Sequence, residues 1–302
     1  MSETHDAADT HDETLLPDRR TPDARRPDEP GRRRAYEHVI VPFDGSPDAQ
    51  RAAMAGSDVA SLMGAELVMA TIGAEGRRVD DARKNRAVHL SDERATVWVE
   101  PGHSSVVALQ TMVHYRPHTI VCMYTHARTG VLHAVYGSLA DQLLQELDAP
   151  LLLIGPRCRD PKVATTRHLV VCVDHTDASA TAVDLAASWA GAVPDAASVN
   201  TTTPAAPNAT VVYAYERDEI VADVDELIAP LAAMCPIVEK VAIARRSYLD
   251  GVLDIVRHSS SAIVVTAWSP SAGFGRMRHD PFLSELSLKS PVPILVQRPR
   301  VD

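Results

Sequence analysis

A chain of 302 residues has room for about two domains, each able to bury its own core, and is too long to be a small disulfide-stapled scaffold. Hydrophobic residues at 45% and charged residues at 23% are ordinary globular composition, but aromatic content is only 4%, so the core rests on Ala, Val and Leu, as suits α/β layers. Thirty Lys+Arg against forty Asp+Glu leave a formal charge of -10, which argues against a large surface for nucleic acid or for an anionic membrane.

Residues 1–36 read as a charged, disordered arm. Residues 1–34 carry nine acidic and seven basic side chains with four prolines, and Leu15 and Leu16 are the only large aliphatics apart from Met1. Such a segment cannot offset its ordering entropy by burial. Its charges also segregate: acidic residues dominate up to Asp18, and Arg19, Arg20, Arg25, Arg26 and Arg32 to Arg34 follow. An interaction arm is the sharper reading, a solvated tail the plainer one. The polar N-terminus has no basic-then-apolar leader, and no apolar run approaches membrane-spanning length. Cys122, Cys158, Cys172 and Cys235 have no metal-type spacing, and two sit inside apolar runs. Buried thiols, a reducing compartment and a cytoplasmic location are therefore expected.

From His38 the chain repeats itself. The run His38-Val39-Ile40-Val41-Pro42-Phe43-Asp44 is answered 130 residues later by His168-Leu169-Val170-Val171-Cys172-Val173-Asp174. Each run reads as a buried parallel strand with an Asp at its carboxyl end. Gly45-Ser46-Pro47 supplies a cap and an N1 proline for the next helix, and Thr176-Asp177 caps the second copy. Ala49, Ala52, Ala53, Gly56, Val59, Ala60 and Met63 share one face of the first helix, as Ala180, Val183, Ala187 and Ala190 share one in the second. Further strands are predicted over residues 66–71, 96–99, 119–123 and 151–154, and helices over 104–114 and 138–147. The second copy repeats the alternation with strands over 209–213, 239–243, 262–266 and 294–296. Residues 121–154 and 264–297 align at a constant offset of 143. The 13 extra residues of copy two fall most simply in the Pro/Thr/Asn/Ala stretch 194–208.

A helix N-terminus at the carboxyl edge of a parallel sheet favours anions, because free N–H groups and the helix dipole converge there. In copy one the relevant stretch is Tyr124-Thr125-His126-Ala127-Arg128-Thr129-Gly130, followed by Gly137-Ser138 opening the last helix. Gly137 permits close backbone approach, Ser138 offers a hydroxyl and Arg128 a bidentate cation. A glycine turn with a capping serine explains Gly137-Ser138 equally well.

With the opening Val39-Ile40-Val41-Pro42-Phe43-Asp44-Gly45-Ser46 and the closing Ala149-Pro150-Leu-Leu-Leu-Ile, these residues resemble the universal stress protein family in a tandem form. The resemblance implies an α/β fold of two Rossmann-like domains related to the adenine nucleotide alpha hydrolases, each a five-stranded parallel sheet flanked by helices. It implies domains over residues 37–157 and 166–302, a linker over 158–165, pairing through the last strands, and adenine nucleotide binding. The family motif is glycine, two residues, glycine, nine residues, then glycine followed by Ser or Thr. Here its first two glycines fall on Tyr124 and Ala127, and its last pair on Gly137-Ser138. Asp44 falls on the family's adenosine-contacting aspartate and Thr71 on the strand end whose backbone faces adenine. Weak ATP or AMP binding in copy one through Asp44, Thr71, Arg128, Gly130, Gly137 and Ser138 is the expectation. A tyrosine where glycine used positive φ would force another backbone route. The interval from Gly73 to Arg94 is short for the family and implies a trimmed second helix and third strand.

In copy two the motif glycines become Ala267, Pro270 and Asp280, and the serine becomes Pro281. Asp280-Pro281 keeps the helix start, but its carboxylate stands in the anion site. A like charge about 4 Å from a phosphate costs roughly 1 kcal/mol in water and about 4 at an effective dielectric near 20. Copy two therefore reads as a non-binding structural copy.

No Walker A sequence and no G-x-S-x-G elbow is present. His114 and His118 have helical metal spacing, but Pro117 ends the helix between them and no further ligand completes a site. No catalytic residue, metal, nucleic-acid or membrane partner is assigned. The leading reading is a cytoplasmic, non-enzymatic binding or regulatory module of the stress response, a homodimer of tandem pairs. A scaffold that lost nucleotide binding and acts through an unknown protein partner is the alternative, and slow ATP hydrolysis ranks last.

Overall fold

The computed structural model describes residues 35–72, 95–100, 104–125, 138–158, 160–161, 163–174, 176, 178–193, 207–215, 224–259, 261–269 and 280–299. The charged arm, residues 73–94, the stretch 126–137 and the insertion 194–206 lie outside them.

The first strand, β1 (His38–Pro42), has three fully buried central residues, Val39, Ile40 and Val41, as expected of a strand covered on both faces. It leads into α1 (Pro47–Met63), which starts where Ser46 accepts a hydrogen bond from the Ala49 amide at 3.1 Å. The helix stops at Gly64, whose φ of 65° suits a residue without a Cβ. Its buried face contains every residue that periodicity assigned to it, with Ala55 added. Next come β2 (Glu66–Ile72), β3 (Ala95–Glu100), α2 (Ser105–Tyr115), β4 (Thr119–Tyr124), α3 (Ser138–Glu146) and β5 (Leu151–Ile154). The third strand, expected to be trimmed, pairs with β2 over six residues.

The second half comprises β6 (His168–Val173), α4 (Ala178–Ala192), β7 (Asn208–Tyr215), α5 (Val224–Ala232), β8 (Val238–Ala244), α6 (Tyr248–Arg257), β9 (Ala262–Ala267), α7 (Pro281–Lys289) and β10 (Ile294–Gln297). Four elements repeat the first half at the offset of 143: β4 and β9, α3 and α7 and β5 and β10 agree at both ends, and α2 and α6 at their first residue. In register, His38 pairs with Glu66 and His168 with Asn208, so the offset has already grown from 130 to 142 at β7. Twelve of the 13 extra residues thus enter between α4 and β7, where the sequence put them.

All ten strands form one sheet in the order β3-β2-β1-β4-β5-β10-β9-β6-β7-β8. Pairing is parallel within each half. At the middle, β5 and β10 run antiparallel, with Leu152 opposite Leu295. The closing strands were expected at a shared seam, and they fuse two five-stranded sheets into one. Strand alternation sends Val39 and Val41 to one face and Ile40 to the other. Helices α1, α4 and α5 cover the first face and α2, α3, α6 and α7 the second, and each hydrophobic cluster runs through both halves. A palindromic order, an antiparallel seam and matching helices on matching faces are the arrangement of a two-fold axis normal to the sheet.

The linking segment is part of this core. Cys158 and Val163 are fully buried, and the Ala164 amide donates to Asp58 of α1 at 3.2 Å. All four cysteines are buried free thiols. Burial pushes Cys158 and Cys172 up to about 12 and Cys235 to about 11, so they are neutral packing groups at physiological pH. Among the described residues, no helix is long and apolar enough to cross a membrane.

Candidate functional site

In an open α/β sheet the strand order reverses where the chain, having wound outward on one side of the first strand, begins on its other side. Here that point lies between β1 and β4, and β6 and β9 repeat it. Each half has a cavity at the carboxyl edge of these strands.

The cavity of the first half is about 210 Å³ and is lined by the ends of β1, β2 and β4 and the first turns of α1, α2 and α3. Asp44 stands at its rim, where its Oδ1 accepts from the Ser46 amide at 2.9 Å and closes a turn led by Gly45 at φ 83°. The carboxylate is exposed. Ala70 and Ile72 line the cavity, whereas the alternation of β2 turns the Thr71 side chain to the other face. Thr71 can therefore offer a ligand its backbone but not its hydroxyl, which is buried without a hydrogen-bond partner. Ser138 is the first residue of α3. Arg128, Gly130 and Gly137, read from sequence as phosphate contacts, lie outside the described residues, as does Ala127.

Tyr124 takes no left-handed conformation. It is the last residue of β4, in register with Ile154, and His118 is the one non-glycine residue with positive φ among those described. The backbone at the motif's first glycine position takes another route, as expected of a tyrosine there, and runs as an ordinary strand end. The ring leans toward α1, with the Arg51 guanidinium 5.9 Å from its centroid. Burial first, and then the Asp48 carboxylate, raise the phenol's pKa above its ordinary value. Arg51 and Asp48 are site neighbours that the motif reading missed. Their i, i+3 spacing on α1 was legible, but nothing in the sequence tied that face to Tyr124.

The second half has the larger cavity, about 730 Å³, at the ends of β6, β7 and β9. Asp174 repeats the turn of Asp44, accepting from the Thr176 amide at 3.0 Å. Asp280 is buried, and its two oxygens accept from the Leu283 and Ser269 amides, both at 3.0 Å. These amides, at a helix start and after a strand end, are the type of donor an anion would use. Desolvation raises the Asp280 pKa, the amide bonds oppose that rise, and Asp174 adds to it. Tyr248 occupies the position equivalent to Ser105, and its hydroxyl bridges the Val173 and Val212 carbonyls at 3.0 and 2.8 Å.

His114 and His118 are both exposed and line a groove of about 930 Å³ between the two halves. Among the described residues, no group of three or more His, Cys, Asp or Glu could hold a metal ion.

No family model matches the chain, and no curated protein matches it. Solved structures do. A universal stress protein from Archaeoglobus fulgidus matches with a TM-score of 0.59 at 11% identity, over 86% of this chain and 98% of the other. A universal stress protein from Pseudomonas aeruginosa matches with a TM-score of 0.58 at 13% identity, over 88% and 94%. Such coverage spans both halves of the sheet. The chain has the fold of these universal stress proteins.

Proposed function

We propose that this chain is a tandem universal stress protein, with domains over residues 37–157 and 166–302, acting as a cytoplasmic binding or regulatory module rather than an enzyme. Any adenine nucleotide it binds, ATP or AMP, is held weakly and in the first half alone. The observation that carries this reading is Asp44 at the rim of a largely apolar cavity at the β1/β4 switch point. About 210 Å³ fits a base and part of a sugar better than a whole nucleotide. Asp44 would accept from ribose hydroxyls, Ile72, Met123 and Leu139 would flank the base, and the N-terminus of α3 would face phosphate. In the second half Asp280 already takes the corresponding amides. Homodimerisation and contact with an unidentified protein partner belong to the same reading.

A second reading, a scaffold without nucleotide, draws on the Tyr124 ring, which narrows the cavity from the β4 side. Calorimetric titration of ATP and AMP into the full chain separates the two. Replacing Tyr124 and Ala127 together by glycine should strengthen binding, Asp44→Ala should abolish it, and Asp280→Ala should leave it unchanged, with thermal melts confirming that each variant folds. No binding by any variant would favour the scaffold, and equal binding by all would mean that the site lies elsewhere.

A further inference from the structure

The sheet ends on one side at β8, and among the described residues no strand pairs with its outer side. Its parallel pairing with β7 runs unbroken from Val238 to Ala244, without a bulge. The Ala209 amide donates to the Ile237 carbonyl at 2.9 Å, so Ile237, Glu239, Val241 and Ile243 turn their backbone groups inward, and Val238, Lys240, Ala242 and Ala244 turn theirs out. Proteins commonly blunt such an edge with proline, a bulge, a covering element or an outstanding lysine. The strand contains no proline, and its one lysine is drawn onto α5, where the Asp225 carboxylate lies 2.7 Å from the Lys240 Nζ. Val238, Val241 and Ile243 are only partly buried.

The seam at β5 and β10 joins two sheet edges antiparallel, about a two-fold axis normal to the sheet. The β8 edge suits the same junction with a copy of itself. With the axis at Val241, Val238 lies opposite the partner's Ala244 and Lys240 opposite the partner's Ala242, so every outward residue of the strand meets an outward residue. On the other face Val241 meets the partner's Val241, a β-branched pair at the close separation of a non-hydrogen-bonded position. Glu239, near the start of the strand, comes within diagonal reach of the partner's Arg245 just beyond its end, which brings opposite charges together. An axis at Lys240 would instead set two lysines against each other. We infer that β8 is the surface through which two copies of this chain pair, antiparallel about Val241, so that the sheet continues from one copy into the other. Resting on the homodimer proposed above, this interface is isologous and closes at two copies.

Sedimentation velocity of the full chain from about 1 to 100 μM should show a monomer–dimer equilibrium. Ala242→Pro removes an outward N–H at an edge position that tolerates proline, and Ala242→Lys sets a second cation opposite the partner's Lys240. Each should weaken the dimer about ten-fold or more, with thermal melts confirming that the variant folds. Val241→Cys places two thiols across the axis at a separation a disulfide spans, so mild oxidation should yield a covalent dimer. Ile243→Cys, whose two copies lie far apart along the strands, should not cross-link, and the native cysteines are buried. A wild type that stays monomeric at about 100 μM would overturn both the interface and the homodimer. A dimer untouched by both Ala242 variants, or one in which Val241→Cys fails to cross-link, would overturn the interface and leave the homodimer to another surface. Open chains longer than a dimer, as pairing of β8 with β3 would produce, would overturn it as well.

Discussion

The two halves share strand order, register and helix placement, yet they finish the carboxyl edge of the sheet in different ways. At the first strand they agree: Asp44 and Asp174 close the same turn onto the amide two residues on. At the last helix they part. In the first half α3 begins at Ser138 after a glycine, whereas in the second α7 begins with Asp280 holding the amides of Leu283 and Ser269. At the third position Ser105 faces a small cavity in one half, and Tyr248 is fastened to two strand ends in the other. Topology is fixed by the apolar strands and small-residue helix faces that both halves retain. The edge has no such constraint, so one backbone carries two different linings at equivalent places.

The halves differ again at their seam, which offers the largest effect. Gly155 follows β5, and a Cβ there would overlap the backbone carbonyl of Ser287 in α7. The equivalent residue after β10 is Arg298, which donates to the Gln145 carbonyl and pairs with Asp148 beyond α3. One side of the seam thus needs the absence of a side chain and the other uses a long one. Gly155→Ala sets a methyl group against backbone rather than a yielding side chain, and should cost about 3 kcal/mol in urea unfolding. A loss below about 0.5 kcal/mol would show that α7 stands off from the first half.

Asp280 sharpens the comparison at the next scale. Asp280→Ala removes the cap of α7 and should cost about 1 to 2 kcal/mol. Its pH dependence has a definite sign. Burial raises the folded pKa above the ordinary 3.8, so the native state holds the proton more tightly than the unfolded chain does. The corresponding stability is fully present below 3.8 and is lost as pH rises through the raised value. Asp280→Asn should remove that slope while keeping most of the cap, as urea midpoints across acidic pH would record. Asp58, half-buried and also raised by desolvation, contributes a slope of the same sign that persists in the variant. An unchanged slope in Asp280→Asn would assign the whole effect to Asp58 and other carboxyls.

Most of the framework was legible because it depends on local signals. The duplicated apolar runs, the Ser46-Pro47 and Asp280-Pro281 starts and the offset of 143 each gave elements that the structure contains within a residue or two. Helix α5 was not assigned, and Pro230 inside it is a reason. Helix α6 is absent from the elements predicted above, although Tyr248, Val252, Leu253 and Val256 repeat at helical spacing. The sites were less legible, since cavity size and side-chain direction come from packing across elements distant in sequence. The Tyr124 identity implied that the backbone leaves the glycine's route, but not that it does so by extending the strand one residue and setting the ring beside Arg51. That the second half holds the larger cavity could not be read from motif losses at all.

The smallest effect tests the other side of the seam. The Arg298 guanidinium meets two features of the first half, the Gln145 carbonyl near the C-terminus of α3 and the Asp148 carboxylate. A cation at a helix C-terminus gains from the dipole as well as from the hydrogen bond. Asp148 is 75% exposed, however, so solvent screens the ion pair and its share is small. Most of the contact then resides in the bond to Gln145. Arg298→Ala should cost about 1 kcal/mol, and Asp148→Asn, which removes only the screened charge, about 0.3. Raising salt to 1 M should reduce the second difference and largely spare the first. Equal losses from both variants, vanishing together in salt, would make the Arg298 clamp purely ionic and leave the approach of Gly155 to the Ser287 carbonyl as the backbone contact that distinguishes the two sides of the seam.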